Sequence, residues 1–166
     1  VAKLAIESCV KYSKERMQFG KPICQFGLIK QKIAEMAIRT YVVEAMAYRT
    51  GGMIDLIMET LDHKAADFGR KSGKAIEEYA IECSINKIYG SEALALVADE
   101  AVQIFGGYGY IEDYPVERIY RDARILRIFE GTNEINRLIT MAFLTRKALK
   151  NEIPLFAAME KVKGEL

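Results

Sequence analysis

Apolar residues recur along much of this chain in steps of three and four, the spacing of one face of an α-helix. From about Phe26 to Thr60, the positions Ile29, Ile33, Met36, Thr40, Val43 and Ala47 follow one another at 4-3-4-3-4. That pattern predicts a long helix, which Gly51-Gly52 should bend or loosen because glycine is a poor helix former. A second long run, Tyr79, Cys83, Asn86, Gly90, Ala93, Val97, Ala101 and Ile104, predicts a helix from about Ala75 to Ile104. Leu4, Ala5, Cys9, Tyr12 and Met17 mark a first helix from Ala2 to about Met17, and shorter patterns predict helices over 115–123 and 132–150. Polar "DHKAADFGRKSGK" reads as the connection between the two long helices. The prolines, at 22, 115 and 154, each fall where a helical pattern stops, as a residue without an N–H should. "ARILRIF" is the best strand candidate, but a lone strand has no partner. The predicted fold is therefore all-α, an antiparallel up-down four-helix bundle packed left-handed at small crossing angles. Gly90, Ala93, Ala95 and Ala98 are small enough to let neighbouring helices approach the third one closely.

Composition narrows the function classes. The chain has 166 residues, 51% of them hydrophobic, and a formal net charge of +1. That length suits one domain with a real core. The balanced charge gives no reason to expect nucleic acid or an anionic membrane as partner. No apolar run approaches the roughly 20 residues of a membrane span, and "VAKLAIESCV" is not a signal peptide. Cys9, Cys24 and Cys83 have neither metal-like nor redox-like spacing and read as reduced thiols. A single histidine, His63, argues against a catalytic triad or a His-rich metal site. A helical pattern already running at residue 2, with no initiator Met, leads us to expect a portion of a longer polypeptide.

Three stretches carry candidate chemistry, each with a plain alternative. In "ERMQFGKPI", Arg16, Gln18 and Lys21 present donors around a turn made tight by Gly20, and a guanidinium fork suits a pyrophosphate. Basic residues are equally the normal complement of a helix C-terminus. In "QIFGGYGYIEDYP", three glycines within four residues would let backbone N–H groups approach a ligand. A C-cap and tight turn explain one or two of them. The stretch is not a dinucleotide fingerprint, since a helix rather than a strand precedes it. Tyr108 and Tyr110 line a pocket or simply pack. In "ILRIFEGTNEINRL", Thr132 or Asn133 can N-cap the last helix and Glu134 suits its first turn. Glu130 is not needed for that cap. It reads either as a solvated loop acid or as a base made stronger by partial desolvation beside Ile128 and Phe129. Arg118, Arg121, Arg124 and Arg127, three residues apart, read as a solvated or salt-bridged helical edge.

Together, "KERMQFGKPI", "AVQIFGGYGYIEDYPVERIYRDARI" and "RIFEGTNEINRL" closely resemble the C-terminal helical domain of acyl-CoA dehydrogenases, over about Ala2 to Leu149. "FGLIKQKIAEMAIRTYVVEAMAY" is most similar to the very-long-chain type. The resemblance implies one C-terminal helical bundle over 1–166, with the family's N-terminal helical and middle β-domains outside this chain. It implies an FAD-dependent oxidation of fatty acyl-CoA to trans-2-enoyl-CoA, with Glu130 as the base that takes the α-proton and Gly131 beside the thioester. FAD contacts are implied for Arg16, Met17, Gln18 and Phe19, reaching the cofactor of a neighbouring subunit. Further contacts are implied for Phe26 and Gly27, for Gln103, Ile104, Phe105, Gly106 and Gly107 along the adenosine and pyrophosphate, and for Thr132, Asn133 and Glu134. Gly27 stands where medium- and short-chain relatives usually carry Gln, and Glu134 where medium-chain relatives carry Gln. Also implied are an electron-transfer flavoprotein as electron acceptor and a homodimer or homotetramer. The setting would be cytoplasmic in a bacterium or the mitochondrial matrix in a eukaryote. By itself the chain is expected not to turn over acyl-CoA. An acyl-CoA oxidase, which shares the chemistry but passes electrons to oxygen, is the enzymatic alternative; a nitroalkane-oxidase-like activity fits less well, since that relative has Asp at the position of Glu130. A helical assembly module is the non-enzymatic alternative.

Overall fold

A computed structural model describes residues 1–165 and shows the all-α bundle that the periodicity predicts. Its helices are α1 (Ala2–Glu15), α2 (Gly27–Glu59), α3 (Phe68–Glu77), α4 (Ala80–Phe105), α5 (Pro115–Ile125), α6 (Asn133–Leu149) and α7 (Leu155–Glu165). The only strands among the described residues, β1 (Met17–Gln18) and β2 (Lys21–Pro22), form a minimal antiparallel hairpin after α1. "ARILRIF" belongs to α5 and the turn that follows it. Helix α2 runs unbroken through Gly51-Gly52. Among the described residues no helix is long and apolar enough to cross a membrane, and no side-chain cluster could hold a metal ion.

The central member is α4, which packs against α1, α2, α5 and α6. Its buried face carries Ala93, Val97, Ala98, Ala101, Ile104 and Phe105. These meet Ala5 and Cys9 of α1, Met36 of α2, and Val116, Ile119 and Ala123 of α5 in one core. Burial pushes the Cys9 thiol up to about 12, so it is an inert filler of that core. Gly90 faces Val43 of α2 across ordinary van der Waals distance. A half-buried polar contact also joins these two long helices, Asn86 Nδ2 donating to Thr50 Oγ1 at 2.8 Å.

Two expectations need correction. The polar connection after α2 is partly helical, because Phe68 and Ala75 are seven residues apart on one face while Arg70, Lys71 and Lys74 remain in solvent. The predicted helix from Ala75 is thus two helices, separated where Tyr79 leaves helical geometry at φ −97°, ψ 19°. Beyond 150 the sequence pattern predicted no helix, yet α7 follows a turn in which Asn151 adopts φ 57° and Pro154 sits one residue before the helix. No residue of α7 is buried, so it lacked the periodic burial signal that marks the others.

Candidate functional site

The first site is built around the end of α1. Arg16 leaves the helix in an extended conformation, φ −75°, ψ 119°, with its N–H still donating to Tyr12 O at 2.8 Å. The hairpin then reverses the chain: Met17 pairs with Pro22 and Gln18 with Lys21. Its tip is Phe19-Gly20, both at positive φ (51° and 78°), and Ile23 N–H donates back to Arg16 O at 2.9 Å. Phe19 is 92% exposed, a large apolar side chain held out from the domain. Behind the hairpin, Phe26 lies edge-on to Phe19 and 4.5 Å beneath the Lys21 ammonium.

Facing the hairpin is the C-terminal end of α4. Tyr12 stacks on Phe105 with ring centres 4.1 Å apart, and its hydroxyl donates to Phe105 O at 3.3 Å. Partial burial raises the Tyr12 pKa above that of a free phenol, keeping the donor proton in place. Tyr108 leaves the following turn and comes within 5.4 Å of the Arg16 guanidinium, ring centre to carbon. Between these walls opens a cleft of 920 Å³, within the size range of small-molecule sites. It collects Arg16, Gln18, Phe19, Phe26, Gly27, Ile104, Phe105, Gly106 and Gly107 of the residues singled out from the sequence. Met17 and Gln103 are exposed beside it rather than in its lining. Tyr108, and with it Tyr12, Ile23, Leu28, Ile29 and Ile111, complete the lining. Helical periodicity marks Tyr12 and Ile29 as apolar positions without revealing that they border a cavity, and Ile23, Leu28 and Ile111 belong to no helical pattern in the sequence.

The three glycines separate by role. Gly106 ends α4 at φ 62°, and a Cβ on Gly109 would lie 2.7 Å from the Val102 carbonyl oxygen. Both are therefore demanded by the fold. Gly107 has no positive φ, and nothing lies within 4 Å of where its Cβ would be. Its lack of a side chain serves no internal contact; it leaves the backbone bare to the cleft.

The second site is the joint between α5 and α6. Leu126 to Phe129 turn tightly, with Ile128 and Phe129 N–H both donating to Ile125 O at 2.8 and 3.1 Å. Glu130 and Gly131 then adopt φ 53° and 83°. For a glutamate this left-handed backbone is a strained conformation of the kind concentrated at functional sites. Glu130 is exposed, and Ile128 and Phe129 are 47% and 42% exposed. The desolvation expected beside these two residues is therefore not supplied by this chain alone. Thr132 is the N-cap, its hydroxyl accepting from Ile135 N–H at 3.3 Å. Backbone hydrogen bonding, then Thr132, holds the Glu134 carboxyl below the usual glutamate value.

Asn133 does not face outward. It is 2% exposed, and its amide meets α4, donating to Ser91 Oγ at 2.9 Å and Glu92 Oε1 at 3.2 Å. Arg137 reaches the same Glu92 oxygen at 2.6 Å. Side chains of Glu92, Arg124, Arg127, Thr132 and Glu134 border a polar depression of 150 Å³ beside the joint. The arginine series is partly the salt-bridged edge expected, with Arg121 on Glu117 and Arg118 on Asp122. Arg127 departs from it, because its Nε is buried without a hydrogen-bond partner in the structure.

The structure is an all-helical bundle with an aromatic, arginine-bearing cleft at one end of its central helix and a strained acid on a joint. The chain belongs to the acyl-CoA dehydrogenase family, matching the acyl-CoA dehydrogenase C-terminal domain over residues 1–145. It is 49% identical over 165 residues to a probable acyl-CoA dehydrogenase of Bacillus subtilis, covering 99% of this chain and 28% of that protein. Against the human mitochondrial very long-chain specific acyl-CoA dehydrogenase the identity is 44% over 133 residues, 80% of this chain and 18% of the enzyme. The crystal structure of a Bacillus anthracis acyl-CoA dehydrogenase complexed with FAD superposes with a TM-score of 0.94 at 49% identity, over 99% of this chain and 28% of that one. The chain thus spans less than a third of the length of each of these relatives.

Proposed function

We propose that residues 1–166 are the C-terminal helical domain of an FAD-dependent acyl-CoA dehydrogenase, whose N-terminal helical and middle β-domains lie elsewhere on the polypeptide. The observation that carries this reading is Glu130. Within a chain of this family it is an acid in strained backbone that the helix cap does not use, and no ion pair or hydrogen bond among the described residues takes its carboxylate. Such a group is free to accept a proton. An α-proton next to a thioester is weakly acidic, so the carboxylate must act in a water-poor site closed by substrate and the other domains.

The residues present fit FAD. Arg16 has no ion pair among the described residues and sits at the mouth of the cleft, where its fork suits a pyrophosphate. Tyr12 and Tyr108 offer flat apolar surface for an adenine, and Gly107 lets backbone approach the phosphates. When bound, FAD supplies the hydride acceptor for the β-carbon. This chain's part is to hold the cofactor of a neighbouring subunit at the cleft, to contribute Thr132 and Glu134 to a cofactor beside the joint, and to take the α-proton on Glu130 with Gly131 next to the thioester. Substrate would be a fatty acyl-CoA, and electrons would pass to an electron-transfer flavoprotein. Reduction of that acceptor in preference to peroxide formation tests the last step.

Exposed apolar side chains on α2 (Ile38, Tyr41, Tyr48) and α6 (Leu138, Met141, Leu149) support assembly into a homodimer or homotetramer, since such surface is normally covered. The Bacillus relatives favour a bacterial cytoplasmic setting. The deciding experiment is Glu130→Gln in the complete flavoenzyme: dehydrogenation should be lost while FAD remains bound. Near-normal turnover would refute the assignment. By the same reasoning, residues 1–166 alone with added FAD should not oxidise palmitoyl-CoA.

A further inference from the structure

We propose that Lys87 is a positioning residue for Glu130; this rests on the reading of Glu130 as the base. Lys87 lies on α4, distant in sequence, yet its ammonium crosses to the joint and donates to Gly131 O at 2.7 Å and to Asn133 Oδ1 at 2.8 Å. Among the described residues it has no carboxylate partner within ion-pair distance. A lysine that forgoes an ion pair for a backbone carbonyl and an amide oxygen is fixing a shape, because these charge-assisted bonds set the direction of both acceptors.

The carbonyl it grips belongs to the residue after Glu130. The same oxygen accepts from Asn136 Nδ2 at 2.9 Å, and that amide also reaches Thr132 O at 3.1 Å. A Cβ on Gly131 would stand 3.1 Å from Asn136 Nδ2, so the glycine leaves room for this clamp. Asn133, the other partner of Lys87, is itself tied to Ser91 one turn further along α4. Glu130 and Gly131 both hold positive φ, a conformation that persists only where its surroundings enforce it. Lys87 and Asn136 supply that enforcement from α4 and α6, on either side of the joint. The Glu130 side chain itself touches none of them through a hydrogen bond. Its aim is set through the backbone, and misplacement of a reacting group by about 1 Å can cost on the order of 10²-fold in rate.

The test uses the complete flavoenzyme with Lys87→Met and Lys87→Arg, beside Glu130→Gln. Lys87→Met should lower kcat roughly 10- to 100-fold, with KM and FAD content within about twofold of wild type. Hydrogen exchange of the 128–134 amides should accelerate. The isotope effect with an α,α-dideuterated acyl-CoA should be at least as large as in wild type, showing that proton removal has slowed. Lys87→Arg, which keeps a charged donor, should recover most of the rate. If Lys87→Met fails to retain FAD, Lys87→Gln is measured in its place against the same criteria. Wild-type kcat and unchanged exchange in the neutral variant, with Glu130→Gln inactive, would overturn the positioning role and leave the base assignment standing. An active Glu130→Gln would remove the base assignment, whatever the exchange at 128–134 showed. A kcat loss that Lys87→Arg does not relieve would likewise overturn the proposal.

Discussion

The cleft at the hairpin and the joint at Glu130 are built on opposite principles. The cleft is walled by stacked and edge-on rings, Tyr12, Phe105, Phe26 and Tyr108, that pack as part of the core or against it. The joint has little apolar cover, and its strained backbone is held by lysine and asparagine side chains. A cavity can be shaped by burial, which is non-directional. The aim of a single carboxylate requires directional bonds, and its desolvation must come from what closes over it.

That contrast can be broken at several points. Glu130→Gln carries the largest expected effect, a loss of at least about 10²- to 10⁴-fold in dehydrogenation with cofactor retained, measured as anaerobic flavin bleaching by acyl-CoA. Arg16→Leu should act only on the cleft. Losing a charged hydrogen bond, about 1.5–3 kcal/mol, should weaken FAD binding roughly tenfold or more, read by titrating the deflavinated enzyme. Gly109→Ala and Gly107→Ala sharpen the division among the glycines. The first should destabilise by about 1–3 kcal/mol because its methyl group meets the Val102 carbonyl, read as a lower denaturation midpoint. The second should leave the midpoint in place and weaken FAD binding. Thr132→Ala should cost about 1 kcal/mol through the lost cap. The smallest effect concerns pH. The Arg137 hydrogen bond, then that of Asn133, holds the Glu92 carboxyl below its ordinary 4.5. Its stabilising contribution is therefore present above that value and fades as pH falls through the lower folded value. Glu92→Gln should be slightly less stable at neutral pH, the difference closing in acid denaturation curves.

Much of the fold was legible because burial writes a periodic signature. The faces were readable from Ile29 to Val43 on α2 and from Asn86 to Ile104 on α4, whereas Ala47 and Cys83 of the same patterns are exposed; Thr132 was one of two caps anticipated. What periodicity missed lacked that signature: α3 shows it on only two buried-side positions, and α7 buries nothing. At the candidate sites, the residue types of the cleft were readable, but its walls form only when α1 and α4 meet. Asn133 shows the limit most clearly. Its place at the helix start offered it as a cap and the resemblance as an FAD contact, and neither signalled that its side chain packs into α4. Lys87 carried no signal at all, since its partners are a backbone carbonyl and a side chain more than forty residues away.

Because Lys87 and Gly106 both belong to or end α4, that helix is also a ruler. Nineteen residues at roughly 1.5 Å each put about 28 Å of axial distance between the two sites, and each residue adds a turn of about 100°. Deleting one residue between them would shorten the distance by little, yet would swing the cleft a quarter-turn or more away from the joint. On the proposed function, the number of residues in α4 is therefore a functional quantity. Substitutions along its length are constrained by packing, whereas insertions and deletions are constrained by phase.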